Sequence, residues 1–294
     1  MPTTQPAVRA PWSAVPGERS TVAERLAWYV DVARLAPSKH NSQPWRFVLR
    51  DDALLLWPDL GRALPLTDPQ HRELLLSCGA AVQLAWVAAR SVGRELDIAW
   101  LPEPGSTLLA RLTEGRAIEV PDDAQDLLAA VASRRTDRGP LDASHLSTQL
   151  RFELQAAAFS QSADLRLVVT AAERRRLSDL VLQADRILVC SGNTDEELAD
   201  WRRDAGDIRL DGVPIDRTRG PRASYRAEFV QRDFGAGAGT PAAMDRDRPD
   251  AALVVVLRTP GAQPLGWLIC RRALAGVPPQ AARPGPPASH LHPP

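Results

Sequence analysis

Two short segments of the chain carry polar side chains whose types and spacing could bind a ligand. The first is a loop, Pro-Ser-Lys-His-Asn-Ser-Gln-Pro-Trp, at residues 37–45. Its amides and hydroxyls offer hydrogen-bond donors and acceptors, and its two prolines restrict the backbone. Such a loop could line a planar heterocycle. A turn stabilised by its own Asn and Ser side chains would explain the same residues without a ligand.

The second segment is a cluster of basic residues, Arg134-Arg135-Thr136-Asp137-Arg138. Guanidinium groups bind phosphate through paired, charge-assisted hydrogen bonds, and the hydroxyl of Thr136 can add a further donor. The same arginines would also suit the solvated C-terminal end of a helix, because cations there interact favourably with the helix macrodipole. Taken alone, the cluster favours this second interpretation.

The loop is predicted to lie between a helix and a β-hairpin. Thr21 and Glu24 have the spacing of a capping box at the start of a helix, and Pro37 ends that helix because the residue before a proline avoids the helical region. After the loop, two strands are predicted on either side of the turn Asp51-Asp52.

A central helix is predicted to follow, and its middle is made of small residues. Asp68-Pro69 is typical of a helix start, and Gly93 is typical of the residue just after a helix. The small side chains of residues 77–81 would let another helix approach closely, which makes Cys78 a core residue. A strand at residues 95–101 and a short helix at residues 108–112 complete this part of the prediction.

The remainder of the chain repeats the alternation of helices and strands, so the predicted fold class is α+β. The predicted elements are helices at residues 122–133, 146–159, 172–190 and from a Thr194/Glu197 capping box to Arg203, with strands at residues 165–170 and 251–257. Residues 204–248 are rich in Gly, Pro, Arg and Asp, and they are predicted to form a long irregular segment.

Composition limits the functional classes. The 294 residues, 44% of them hydrophobic, suffice for one large domain or two modest ones. A net charge of zero argues against a general nucleic-acid binder, and the absence of a long apolar run argues against a membrane span. Cys78, Cys190 and Cys270 have neither metal-site nor disulfide spacing, so no metal and a reduced, cytoplasmic setting are expected. Residues 1–20 resemble a flexible tail without a signal sequence.

The loop and the basic cluster together resemble the nitroreductase superfamily. Pro-Ser-x-x-Asn-x-Gln-Pro-Trp after a helix is similar to that family's flavin-facing loop, and residues 134–138 are similar to its Arg-x-Ser/Thr-x-Arg/Lys phosphate motif. The resemblance implies a usually homodimeric, FMN-dependent fold with the flavin between subunits. In a family subunit the basic motif precedes the loop, whereas here it follows the loop.

Fusion of two family subunits explains this inverted order. The first half, residues 21–125, would supply the loop, and the second half, residues 126–260, would supply the phosphate motif, so that one pseudo-dimeric chain builds one composite flavin site. The arrangement is similar to the actinobacterial, dormancy-associated Acg-type proteins, as are Asp68–Ala81 and Asp211-Gly-Val-Pro214. Residues 204–248 would form a lid-like segment.

The resemblance also implies that the second half should continue beyond the strand at residues 251–257. Here Gly266-Trp267-Leu268 could begin the next helix, but the residues that follow are rich in proline, alanine and arginine. We therefore expect the second half to be truncated by a frameshift or a shortened gene near residues 262–270, and residues 261–294 to form a disordered tail.

The implied activity is an FMN-dependent NAD(P)H oxidoreductase that reduces nitro compounds or quinones. The implied FMN-binding residues are Pro37, Ser38, Lys39, Asn41, Gln43, Arg134, Arg135, Thr136 and Arg138, with Gln43 and Trp45 also holding the loop in place. No catalytic side chain is assigned, because the flavin carries the chemistry.

The alternatives are a protein that sequesters FMN without turnover and a protein that has lost FMN and acts as a structural or interaction module. The chain would be a pseudo-dimeric monomer or a homodimer, with a small-molecule electron acceptor as its partner and no nucleic acid or membrane.

Overall fold

The first half of the chain folds as helices packed on a four-stranded sheet. The computed structural model describes residues 12–134, 147–160, 162–190, 194–204, 206–214, 232–233, 240–241, 254–259, 261 and 263–275. The elements of the first half are α1 (Val22–Ala33), β1 (Trp45–Arg50), β2 (Ala53–Pro58), α2 (Arg72–Ser91), β3 (Arg94–Trp100), β4 (Ala110–Ala117) and α3 (Ala124–Ser133), with 3₁₀ turns at Lys39–Asn41 and Leu60–Arg62. The antiparallel sheet has the order β1-β2-β4-β3.

The second half contains more helix and shorter strands. Its described elements are α4 (Thr148–Ser160), β5 (Asp164–Val168), α5 (Ala171–Cys190), α6 (Thr194–Ala199), β6 (Arg202–Arg203), β7 (Val213–Pro214), β8 (Arg232–Asp233), β9 (Thr240–Pro241), β10 (Val254–Arg258) and α7 (Pro264–Ala275). β5 pairs antiparallel with β10, β6 parallel with β7, and β8 antiparallel with β9. The described chain is thus α+β, as predicted.

The hairpin after the loop forms as predicted. Asp51 and Asp52 have φ angles of 49° and 53°, and Arg50 is the residue paired with Ala53. A two-residue hairpin turn of this type needs positive φ at both central positions, which Asp tolerates better than most residues. The capping box at the start of α1 is also confirmed, since Thr21 and Glu24 exchange hydrogen bonds.

Helix α2 is the core of the first half, but it begins later than predicted. It starts at Arg72, after His71 in the left-handed region (φ 56°). Asp68 nevertheless caps the helix, because its Oδ2 accepts a hydrogen bond from the Leu74 N–H at 2.9 Å. Asp68 itself lies outside the helix, and the turn closed by the hydrogen bond from the His71 N–H to the Asp68 carbonyl brings its carboxylate to the first turn of α2. Gly93 follows the helix with φ +70°, as expected.

The small residues in the middle of α2 do admit another helix, and that helix is α7. A Cβ atom added at Gly79 would lie 2.0 Å from the carbonyl oxygen of Leu268, whose side chain is fully buried. Residues 264–275 therefore form a packed helix instead of the predicted disorder, because Leu268 joins the hydrophobic core of the first half. The rest of the predicted tail, residues 276–294, lies outside the described residues.

Two other predicted elements are wrong. Residues 108–112 do not form a helix, because residues 110–117 form strand β4 between β2 and β3. Helix α6 ends at Ala199 and does not reach Arg203.

The carboxylate of Glu197 accepts hydrogen bonds from the Thr67 N–H at 3.0 Å and the Thr67 Oγ1 at 2.6 Å, so this side chain joins the second half to the first.

Helix α2 is long and apolar enough to cross a membrane by length and composition. However, 83% of its most apolar window is buried inside the protein. This burial is what the core helix of a soluble protein shows.

Cys78 is a buried core residue, as predicted. Its Sγ lies 3.5 Å from the carbonyl oxygen of Pro44, directly beneath the loop. Burial raises the pKa of the Cys78 thiol above its ordinary value, and the thiolate is the reactive species.

We therefore expect Cys78 to react with a thiol reagent roughly 100-fold more slowly in the native protein than in urea. Peptide mass spectrometry after timed labelling measures this rate, and half-buried Cys270 provides the internal comparison. Native labelling of Cys78 as fast as that of Cys270 would contradict the expectation.

Candidate functional site

The loop at residues 37–45 has an unusual backbone conformation. His40, Asn41 and Gln43 have φ angles of 51°, 54° and 51°. Left-handed residues other than glycine raise the energy of the backbone by about 1–3 kcal/mol each and persist where surrounding contacts hold them. Three such residues in four positions therefore mark this loop as a candidate functional segment.

Hydrogen bonds within the loop account for part of its shape. Ser38 Oγ accepts from the Gln43 N–H at 2.9 Å, and the Ser38 carbonyl accepts from the Asn41 N–H at 3.0 Å. Lys39 Nζ donates to the Thr67 carbonyl at 3.0 Å. Ser38 and Lys39 thus bind the protein's own backbone, and Trp45 packs against the core as an anchor.

A segment of the second half runs across the loop; we call residues 207–212 the strap. Asn41 Nδ2 donates to the carbonyls of Leu210 at 3.0 Å and Gly212 at 3.1 Å. Gln43 Nε2 also donates to the Leu210 carbonyl, at 3.0 Å. In return, the Gly212 N–H donates to the Asn41 carbonyl at 3.1 Å. The two amide side chains of the loop therefore join the halves of the chain.

The strap is fixed by an ion-pair network around Asp211. Its carboxylate accepts from Arg62 Nη1 at 2.8 Å and from Arg203 Nη2 at 2.9 Å. Burial raises the pKa of Asp211, but the hydrogen bonds from Arg203 and Arg62 lower it more, so the pKa lies below its ordinary value. The carboxylate is thus ionised at neutral pH.

A cavity of about 300 Å³ lies where the loop, the end of α3 and the strap meet. Its lining residues are Arg34, Leu35, Ala36, Asn41, Gln43, Val131, Ala132, Arg134 and Leu210. Arg134 follows directly after α3, and its Nε donates to the Leu35 carbonyl at 3.2 Å. The cavity thus combines amide groups and a guanidinium with apolar walls.

The structure brings three of the predicted FMN-binding residues, Asn41, Gln43 and Arg134, to this cavity. Pro37, Ser38 and Lys39 are not among its lining residues, although they shape the same loop. The other predicted phosphate-binding residues, Arg135, Thr136 and Arg138, lie outside the described residues.

A second, wider cavity of about 800 Å³ has Asp211 in its wall. It is lined by Asp59, Gly61, Arg62, Ala63, Pro65, Leu66, Glu196, Glu197, Asp200, Trp201, Arg203 and Asp211. Its carboxylates outnumber its guanidinium groups, so it is less suited to a phosphate than the first cavity. No cluster of three His, Cys, Asp or Glu residues that could hold a metal occurs in the described part of the chain.

The predicted lid-like segment, residues 204–248, includes the strap, but sequence reasoning did not anticipate the contacts of the strap with the loop or its ion pairs. The segment Asp211-Gly-Val-Pro resembles the family, but the contacts of the strap with the first half join residues that are 149 to 171 positions apart in sequence. The available signal was a Gly next to an Asp in an irregular region, which by itself indicates only a turn.

The chemistry of the first cavity suits FMN. Amide side chains can pair with the polar edge of a planar ring, and Arg134 can bind a phosphate. Leu35, Val131 and Leu210 supply apolar parts of the wall. A volume of about 300 Å³ is at the lower end of the range for ligand pockets, which corresponds to part of such a cofactor.

Comparison with known proteins gives relatives along most of the chain. No protein-family model matches it. It is 31% identical over 259 residues to "Putative NAD(P)H nitroreductase acg" of Mycobacterium tuberculosis, an alignment that covers 84% of this chain and 74% of that protein. A second protein of the same organism with a nitroreductase name is 39% identical over 117 residues, covering 40% of this chain and 34% of its own. "Probable NAD(P)H nitroreductase PigM" of a Serratia species is 36% identical over 84 residues, covering 28% and 23%.

Proposed function

Because the chain belongs to the nitroreductase superfamily, as a protein of the Acg type, we propose that it is an FMN-dependent NAD(P)H oxidoreductase. Its substrates would be small electron acceptors, either nitro compounds or quinones. The observation that carries the proposal is the cavity at which Asn41 and Gln43 of the first half meet Arg134 of the second. A composite site of this kind is what a fused pseudo-dimer needs.

The residues of the chain would bind and orient the cofactor. Arg134, with Arg135, Thr136 and Arg138, would hold its phosphate, and Asn41 and Gln43 would shape the edge that faces its ring. When bound, FMN supplies hydride acceptance from NAD(P)H and electron transfer to the acceptor. No protein general acid or base is assigned. A reduced cytoplasmic location, and a chain that acts as a pseudo-dimeric monomer or as a homodimer, belong to the same proposal.

One observation favours a second candidate function, the sequestration of FMN without turnover. Leu210 of the strap is part of the cavity wall, and the backbone of the strap is bonded to the loop on the same side. A strap in this position would restrict the approach of NAD(P)H and of an acceptor to a bound flavin.

Arg134→Ala is expected to weaken FMN binding by roughly tenfold or more, because it removes a charge-assisted hydrogen bond to the phosphate. Fluorescence quenching during FMN titration measures the dissociation constant. Arg116→Ala is the matched control, since Arg116 is an exposed arginine on β4 that pairs with Glu95 and does not line the cavity.

The outcomes separate the candidates. Equal FMN affinity of the two variants would contradict the phosphate assignment, and a wild-type protein that takes up no FMN would overturn the proposed function. Bound flavin with NAD(P)H oxidation supports the oxidoreductase, whereas bound flavin without oxidation supports sequestration.

A further inference from the structure

We propose that Asp211 is a positioning residue for the cofactor cavity. Its two ion pairs fix the strap, and the strap carbonyls in turn hold Asn41 and Gln43 in the conformation that shapes the cavity wall. The inference rests on the proposed function for the identity of the ligand. The coupling between Asp211 and the loop rests on the contacts alone.

The loop needs external support because its backbone is strained. Its left-handed residues Asn41 and Gln43 are the two whose side chains bond to the strap. The internal bonds from Ser38 restrain the backbone N–H groups of both residues, but they do not restrain the amide side chains. The strap therefore supplies the contacts that orient these amides at the cavity.

Arg62 links Asp211 to the loop by a second route. Its Nη1 donates both to Asp211 Oδ2 at 2.8 Å and to the Ser42 carbonyl at 2.9 Å. Ser42 lies between the two left-handed amide residues. Loss of the Asp211 carboxylate would thus free a guanidinium that also holds the loop backbone.

Arg203 fixes Asp211 from the side of the second half. Its side chain is only 7% exposed, and its Nη1 donates to the Asp200 carbonyl at 2.7 Å. Asp211 therefore lies between an arginine of the first half and a buried arginine of the second half, and it holds the strap between them.

Gly212 fixes the path of the strap next to Asp211. It has φ +80°, and an added Cβ would lie 2.6 Å from the Trp201 carbonyl oxygen and 2.7 Å from Arg203 Nε. A side chain at this position would meet both groups, so the strap can pass here only as glycine. Because the strap is held closely at Gly212, we expect a change at Asp211 to shift the neighbouring Leu210 and, with it, the cavity wall.

The test compares Asp211→Asn with Asp164→Asn and Asp211→Glu. Asp164 on β5 forms an exposed ion pair with Arg258 and has no part in the strap, so Asp164→Asn is the matched control. Asp211→Glu retains the charge and should restore most of the wild-type behaviour. Two properties are measured: hydrogen exchange of the Gly212 N–H, which donates to the Asn41 carbonyl of the loop, and the FMN dissociation constant by fluorescence quenching.

We expect Asp211→Asn to accelerate exchange at the Gly212 amide and to weaken FMN binding, each by about tenfold, as for the loss of one charge-assisted hydrogen bond. The control should match the wild type in both. Adding Asp211→Asn to an Asn41→Ala/Gln43→Ala protein should weaken FMN binding little further, because Asp211 acts through these two amide side chains. Additive effects would overturn the proposed route.

Unchanged exchange in Asp211→Asn overturns the proposal, and so does faster exchange with unchanged FMN affinity. If Asp211→Asn does not fold, Arg62→Gln carries the same test, because it removes the first-half ion pair and the bond to Ser42. If the wild type binds no FMN, the proposed function fails, and the exchange measurement alone decides whether Asp211 positions the loop.

Discussion

Replacing Gly79 with alanine is expected to lower the free energy of unfolding by about 3 kcal/mol. The new Cβ would lie 2.0 Å from the Leu268 carbonyl oxygen and 2.8 Å from the Leu268 carbonyl carbon. Both atoms belong to the backbone of α7, so no side-chain rotation can relieve the contact. Helix α7 would have to move away from α2.

The size of the effect follows from three contributions. Alanine is a better helix former than glycine by about 1 kcal/mol, which opposes the destabilisation. Overpacking of a dense core typically costs about 1–3 kcal/mol. Movement of α7 also exposes part of Leu268, whose complete burial contributes about 1.5–3 kcal/mol. The last two contributions exceed the gain in helix propensity.

Urea denaturation followed by circular dichroism measures the change. Gly17→Ala is the control, because a Cβ at Gly17 meets no atom within 4 Å, and its effect should stay within about 0.5 kcal/mol. A Gly79→Ala protein as stable as this control would show that α7 does not pack on α2 as described.

The sequence predicted best the features that depend on neighbouring residues. The Asp51-Asp52 hairpin and the Thr21/Glu24 capping box are local patterns, and both are confirmed. Strand β4 was missed because it is inserted between β2 and β3, and such a non-local pairing leaves little signal in the segment itself.

The candidate site shows the same division between local and distant contacts. The polar loop could be recognised from its own residues, and its association with Arg134 could be anticipated from the family resemblance. The hydrogen bonds of Asn41 and Gln43 to the strap could not be anticipated, because their partner Leu210 is more than 160 residues away in sequence. The shape of the cavity depends on this distant contact.

Removing the Glu114 carboxylate is expected to have an effect at least as large as that of Gly79→Ala. Glu114 on β4 accepts a bidentate pair from Arg25, with Arg25 Nε at 2.7 Å, and a hydrogen bond from the Tyr29 hydroxyl at 2.6 Å. The side chains of Glu114 and Arg25 are only 5% and 9% exposed. Because Glu114→Ala leaves a buried guanidinium without its counter-ion, it should lower the free energy of unfolding by about 3–5 kcal/mol.

The same carboxylate should make stability depend on pH in the acid range. Burial raises the pKa of Glu114, but the hydrogen bonds from Arg25 and Tyr29 lower it more, so the folded-state pKa lies below the ordinary value. As the pH falls below that ordinary value, the unfolded chain takes up a proton that the folded protein does not. The stabilisation is therefore complete above the ordinary carboxyl pKa and is lost as the pH falls through the folded-state pKa.

Urea denaturation of the wild type and of Glu114→Gln between pH 7 and pH 3 tests both expectations, because the difference between the two proteins should be greatest at pH 7 and shrink towards pH 3. Glu95→Gln is the matched control, since Glu95 pairs with Arg116 at 3.0 Å on the exposed side of the same sheet and should contribute less than about 1 kcal/mol. A difference that stays constant from pH 7 to pH 3 would show that the Glu114 carboxylate is not held in its ionised form by Arg25 and Tyr29.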